Sequence, residues 1–209
     1  IATLTVPEVA KQPWSQKVHY EVSYMGEEPV TSNAIDIDRL EGHTQLLTNN
    51  SFENWTGKFP DGWKYLAEAF KRNDKVSRSG QSSTSSNGLS PQEIAASGSG
   101  PGQESIGGIG PGKYIGVYRF LTDSDADGQL HFYIRFRDAN GSSIYPTISS
   151  ERVDTKTSNG KWRTVTFEFE IPELYQNRVV DSLNMYVLLR DLPRGNTIYL
   201  DDLELIRVD

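Results

Sequence analysis

Residues 162–171 read WRTVTFEFEI, and the alternation in that run decides the fold class. Val165, Phe167, Phe169 and Ile171 form one apolar face, while Thr164, Thr166, Glu168 and Glu170 form a wet one, the period-two pattern of a strand buried on one side. The pattern recurs in both directions along the chain. Residues 183–190 place Leu183, Met185, Val187 and Leu189 inward, and residues 130–137 do the same with Leu130, Phe132, Ile134 and Phe136. Further strands are expected over residues 114–120 and 197–206, with turn-forming residues between the runs and no long stretch of helical period. Half-buried antiparallel strands stack as two sheets, so the chain is expected to be all-β, a two-sheet antiparallel β-sandwich.

Composition narrows the function. The 209 residues carry 21 Lys+Arg against 28 Asp+Glu, a net charge of −7, which argues against nucleic acid as a partner because that needs a concentrated basic face. Cysteine is absent, which excludes disulfides, thiolate metal sites and Cys nucleophiles together. His19, His43 and His131 lie far apart in sequence, which argues against His-based catalysis and zinc chemistry. No run approaches the roughly 20 apolar residues of a transmembrane helix. The chain starts at Ile1 rather than Met, so a removed signal or lipid anchor and missing upstream domains are expected.

Two stretches fall outside the strong strands. Residues 81–112 are dominated by Ser, Gly and Pro and read mostly as loop, with one short strand near residues 104–106. Residues 1–44 hold strand patterns at residues 1–6 and 18–24, too little chain to bury a core alone. They are either the remnant of an upstream Ig-like module or strands docked on the main domain, residues 45–209.

Residues 45–65, QLLTNNSFENWTGKFPDGWKY, carry a resemblance. Leu46, Leu47, Asn49, Phe52, Glu53, Pro60, Gly62 and Trp63 match an opening of the form L-L-x-N-x-x-F-E followed by P-x-G-W. A strand approached through Pro111-Gly112-Lys113-Tyr114 and a closing strand over residues 198–205 follow in the same order. Together these resemble the galactose-binding-like jelly rolls of carbohydrate-binding modules in the family 4, 9, 16 and 22 group, over residues 45–209. The resemblance implies that residues 130–137 and 183–190 are neighbours in one sheet, opposite a sheet holding residues 114–120, 162–171 and 197–206. It also implies a structural Ca2+ held by Glu53 and Asp201 with backbone carbonyls, and by Asp202 if the register slips by one. The competing expectation is that these carboxylates pair with Lys, Arg or backbone N–H groups.

Asp123, Asp125 and Asp127 before Gly128 match the first half of an EF-hand loop, but Ile134 stands where the bidentate Glu is needed. That run therefore reads first as a hairpin turn, with a second cation site as the alternative. On the strand faces opposite the core lie Tyr133, Arg135, Arg137, Tyr186 and Arg190. A tyrosine ring stacks on a sugar and guanidinium groups donate to its oxygens, so this set is the candidate site for an oligo- or polysaccharide, and its arginines suit an acidic one. The alternative is a solvated face on which Arg stems cover the rings. Trp63 is expected in the core, Trp55 exposed, and Trp162 at the sandwich edge.

Nucleophile elbows, zincin motifs and phosphate-binding glycine loops are missing, and Glu168 with Glu170 reads as a solvated strand face rather than an acid/base pair. The expectation is a non-catalytic carbohydrate-binding domain of a bacterial glycan-utilisation protein, secreted or on the outer cell surface. The alternative is a structural or interaction domain of a larger secreted enzyme or lipoprotein, with no sugar site.

Overall fold

The computed structural model describes residues 21–22, 30–31, 44–66, 70–90, 99–122 and 127–208. The chain divides into two compact units, residues 1–43 and 44–209. In the first, β1 (Glu21–Val22) pairs antiparallel with β2 (Val30–Thr31). The remainder of the strand patterns expected at residues 1–6 and 18–24 lies outside the described residues.

The second unit runs through β3 (Thr44–Gln45), β4 (Trp55–Thr56), β5 (Phe59–Pro60), β6 (Lys64–Leu66), β7 (Phe70–Asn73), β8 (Ser83–Ser86) and β9 (Gly100–Ile106). It continues through β10 (Gly112–Thr122), β11 (Gln129–Arg137), β12 (Ser143–Ser149), β13 (Val153–Asp154), β14 (Arg163–Ile171), β15 (Ser182–Arg190) and β16 (Ile198–Arg207). One sheet has the order β14-β10-β16-β8-β7 with β3 beside β16, and the other has β12-β11-β15-β9-β6 with β13 beside β11. All of these pairings are antiparallel. This is the two-sheet sandwich expected, with the strong strands divided between the sheets as the resemblance implied. Closure also falls where expected: Gln45 pairs with Ile206, and the Leu46 N–H donates to the Leu205 carbonyl at 2.8 Å.

The inward faces meet in one core. Leu130, Phe132, Ile134, Phe136, Leu183, Met185, Val187 and Leu189 are all fully buried against Tyr118, Phe120, Leu200 and Leu205 of the opposite sheet. Aromatic contacts join the layers, with Tyr118 edge-on to Phe132 at 5.0 Å and Phe169 tilted against Phe136 at 6.4 Å. Each such pair contributes about 0.5–1.5 kcal/mol beyond its buried area. Trp63 lies in this core against Phe52 at 4.7 Å, its indole N–H donating to the Thr48 and Asn49 carbonyls.

Residues 81–112 hold more strand than the sequence reading gave them: the short strand expected near residues 104–106 is the end of the longer β9, and β8 was not expected. The hydroxyls of β8 explain why. Ser83 donates to the Val76 carbonyl at 2.6 Å, and just before the strand Ser82 donates to the Phe52 carbonyl at 2.7 Å, so these two hydroxyls are buried satisfied. Trp55 is a second correction: it is half-buried rather than exposed, because its indole N–H turns back to the Phe52 carbonyl and the Arg72 guanidinium lies 5.9 Å from its ring. β12 was not expected at all. It is the edge strand of its sheet, where Pro146 is tolerated although it breaks the alternation.

Two β-bulges re-aim side chains. Between Val117 and Arg119 of β10, two steps face three on β16, from Glu204 to Asp201, and Asp202 adopts φ +47°. On β9 the three steps from Gln103 to Ile106 face two on β15, with Ser105 at φ +55°.

Candidate functional site

The outer face of the β12-β11-β15-β9-β6 sheet gathers the predicted residues. Strand pairing sets Tyr133 directly beside Tyr186, Arg135 beside Asn184 and Gln129 beside Arg190. The rings of Tyr133 and Tyr186 stand 6.2 Å apart, tilted by 48°. Arg135 lies over the Tyr133 ring at 5.7 Å and donates to its hydroxyl at 3.2 Å. Arg137 is committed elsewhere, its Nε donating to the Asn184 side-chain carbonyl at 3.1 Å and its Nη1 to the Gly141 carbonyl at 2.8 Å.

Tyr186 departs from the expected exposed platform. Only 2% of it is accessible, and its ring lies so close over Gly102 that a Cβ there would stand 2.1 Å from Cδ1. Its hydroxyl donates to Glu104 Oε1 at 2.6 Å, while Lys64 Nζ pairs with Oε2 at 2.7 Å. The two hydrogen bonds, from Lys64 and then Tyr186, hold the Glu104 carboxyl below the ordinary carboxylate range. Burial, and then Glu104 itself, push the Tyr186 phenol up to about 12. Tyr186 is thus the floor of the face, tied into a polar chain that runs Lys64, Glu104, Tyr186, Asn184, Arg137.

Two members of this face escaped the sequence reading. Glu104 owes its place to the β9 bulge, which aims it at β15. Tyr145, 64% exposed on β12, is the most accessible aromatic ring here, next in sequence to Ile144, which pairs with Phe136 of β11. Alternation gave no signal for it, because Tyr145 and Pro146 are both exposed and interrupt the period of β12.

Glu53, Asp201 and Asp202 converge on the loop formed by residues 78–82. Glu53 accepts the N–H groups of Gln81 at 2.9 Å and Ser82 at 3.3 Å, and Gly80, at φ +60°, leaves room that a Cβ would deny to the Glu53 carboxylate. Asp201 accepts from the N–H groups of Arg78 and Asp202, both at 2.8 Å, and Asp202 pairs with the Arg78 guanidinium at 2.8 Å. Asp201 is fully buried, and its carboxyl is pushed up to about 7, by burial first and then by the charge of Asp202. Hard oxygens around one loop suit calcium, and a cation would relieve that crowding, but loop carbonyls would have to complete the six to eight ligands. Among the described residues no three His, Asp or Glu side chains gather as a metal cage. Asp123 and Asp125 lie outside the described residues; Asp127 is exposed, 3.7 Å from Lys156 Nζ. Glu168 and Glu170 are exposed on β14, as a solvated face requires.

Comparison with known proteins gives the fold a name. No family model matches the chain, and no curated protein matches it in sequence. Among solved structures, the CBM22-1 xylan-binding domain of Paenibacillus barcinonensis Xyn10C superposes with a TM-score of 0.54 at 20% identity, over 80% of this chain and 96% of that domain. The module TmCBM61, solved in complex with β-1,4-galactotriose, gives 0.51 at 16% identity over 79% of this chain and 99% of that one. The arabinose-bound α-L-arabinofuranosidase MgGH51 gives 0.54 at 17% identity, with 78% of this chain matched to 26% of the enzyme. The fold is the jelly roll of carbohydrate-binding modules, which also occurs as one part of a longer enzyme.

Proposed function

We propose that residues 44–209 form a non-catalytic carbohydrate-binding domain that holds an oligo- or polysaccharide across the outer face of the β12-β11-β15-β9-β6 sheet. The observation that carries this reading is the placing of Tyr133 and Arg135 over a floor stiffened by Tyr186, Glu104 and Asn184, with the exposed Tyr145 on the neighbouring edge strand and Arg190 farther along the same face. Solved modules with this fold bind xylan and β-1,4-galactotriose, which supports a polysaccharide as the ligand class here. The arginines suit an acidic glycan, and the domain fits a secreted or cell-surface bacterial glycan-utilisation protein. Glu53 and Asp201 are its calcium ligands in this reading, with Asp202 as the alternative to Asp201 and loop carbonyls completing the set.

Glycan arrays followed by titration calorimetry test the proposal. Tyr133→Ala and Tyr145→Ala are each expected to weaken binding by about 1–3 kcal/mol while leaving the melting temperature nearly unchanged, as exposed anchors do. A second reading, a scaffold domain without a sugar site, is favoured by the cover Arg135 places over Tyr133 and by the burial of Tyr186. Absence of binding across neutral and acidic polysaccharides would establish that second reading.

A further inference from the structure

One corner of this face carries two arginines that no described ion pair answers. Gln129, the first residue of β11, pairs with Arg190, the last of β15, and the next outward pair is His131 with Leu188. Arg152, in the link between β12 and β13, reaches back to Gln129, its Nη1 3.4 Å from Oε1. Neither Arg152 nor Arg190 has a carboxylate partner among the described ion pairs. Arg190 Nε is buried without a hydrogen-bond partner. Beside them His131 is 4% exposed, and its Nδ1 also lacks a partner.

The electrostatics agree with that geometry. Burial, and then the charges of Arg190 and Arg152, push His131 down to about 4, so the imidazole is neutral at pH 7 and adds no positive charge of its own. Burial and then Arg152 hold Arg190 below its ordinary value, opposed only by Asp191. Two like charges held together on a partly desolvated surface repel unless an anion stands between them. Among the described hydrogen bonds Arg190 makes none and Arg152 only the 3.4 Å one to Gln129, whereas Arg137 donates twice and Arg135, whose Nε is likewise buried without a partner, donates to the Tyr133 hydroxyl.

We propose that this corner is an anion subsite of the glycan-binding face, in which Arg190 and Arg152 take the charged oxyanion substituent of a bound sugar residue. The inference rests on the glycan-binding reading above and adds to it the chemical class of the substituent, a carboxylate or a sulfate. A planar guanidinium pair matches either group with forked N–H donors.

The test is titration calorimetry of the full chain with xylo- and β-1,4-galacto-oligosaccharides, each in neutral, uronate-bearing and sulfated form. An acidic form is expected to bind about tenfold tighter than its neutral counterpart at low salt, with the gain shrinking in high salt. Whether the uronate or the sulfate arm shows the gain identifies the group. Arg152→Gln, at an exposed position where folding is not at stake, should bring the acidic-to-neutral ratio close to one. Lys75→Gln, the same change of net charge at an exposed turn beside the opposite sheet, should leave the ratio in place. Equal affinity for neutral and acidic forms, or a gain that survives Arg152→Gln, overturns the subsite while glycan binding stands. Failure of every oligosaccharide to bind overturns both together.

Discussion

Gly102→Ala probes the floor of the face directly. The added Cβ would stand 2.1 Å from Cδ1 and 2.7 Å from Cε1 of Tyr186, contacts that a ring could relieve by swinging away. It would also stand 2.7 Å from the Met185 carbonyl oxygen, which belongs to the backbone of the neighbouring strand and cannot yield without distorting the sheet. Overpacking of this kind costs about 1–3 kcal/mol, and the backbone contact puts Gly102→Ala in the upper half of that range, roughly 2–3 kcal/mol. For a domain of this size each kcal/mol moves the melting temperature by about 2–4 °C, so a drop of about 4–12 °C is expected. Displacing the ring also breaks the hydrogen bond to Glu104, so glycan affinity should fall with stability. Gly107→Ala is the control, because nothing lies within 4 Å of a Cβ built there. Its melting temperature should match or slightly exceed that of the wild type. Differential scanning calorimetry on both variants decides the matter, and a Gly102→Ala protein that melts with Gly107→Ala would show that Tyr186 is not seated on that glycine.

Acid should expose His131. Its folded pKa of about 4 lies below the ordinary 6.5, so the unfolded chain binds a proton that the native state refuses; the stability present above pH 6.5 is lost as pH falls toward 4. By pH 5 the loss is at most about 2 kcal/mol, read as the difference in urea midpoint shift between wild type and His131→Leu; equal shifts in the two proteins would refute it. For calcium, excess Ca2+ should raise the melting temperature relative to chelator, and Glu53→Ala should abolish the difference, since an ion bound only by the folded state stabilises it by mass action. Identical melting curves with calcium and with chelator would remove the metal from the account.

Side-chain periodicity made the strong strands legible, including the core faces of β11 and β15, although β15 buries its outer face as well and β11 buries His131 on its own outer face. The closing strand even announced its irregularity: Ile198 and Leu200 point inward, and so do Leu203 and Leu205, a change of phase that only an extra residue between them can reconcile. That bulge is why Asp201 and Asp202 both turn toward the loop at residues 78–82. β8 and the first half of β9 were hidden for the opposite reason. Periodicity registers hydrophobicity, while Ser82, Ser83 and Thr84 are buried through hydroxyl hydrogen bonds and Gly100 and Gly102 through their lack of a side chain.

The site was legible only in part, because its members are related by register rather than by neighbourhood in sequence. Gly102 lies between Lys64 on β6 and Tyr186 on β15, so one glycine, read as linker, sets the depth at which Tyr186 rests and brings Glu104, two residues on, within reach of both hydroxyl and ammonium. Alternation could assign Tyr133 and Tyr186 to a common face but could not distinguish the ring that is buried from the ring that is accessible, since that depends on what β9 places beneath Tyr186 and on what β12 places beside Tyr133. Binding strength on such a face follows from the stiffness of its floor as much as from the rings that touch the sugar, since a ring already held in place loses little further freedom when it stacks. Changes to Gly102 and changes to Tyr145 should therefore fail differently, the first through stability and affinity together and the second through affinity alone.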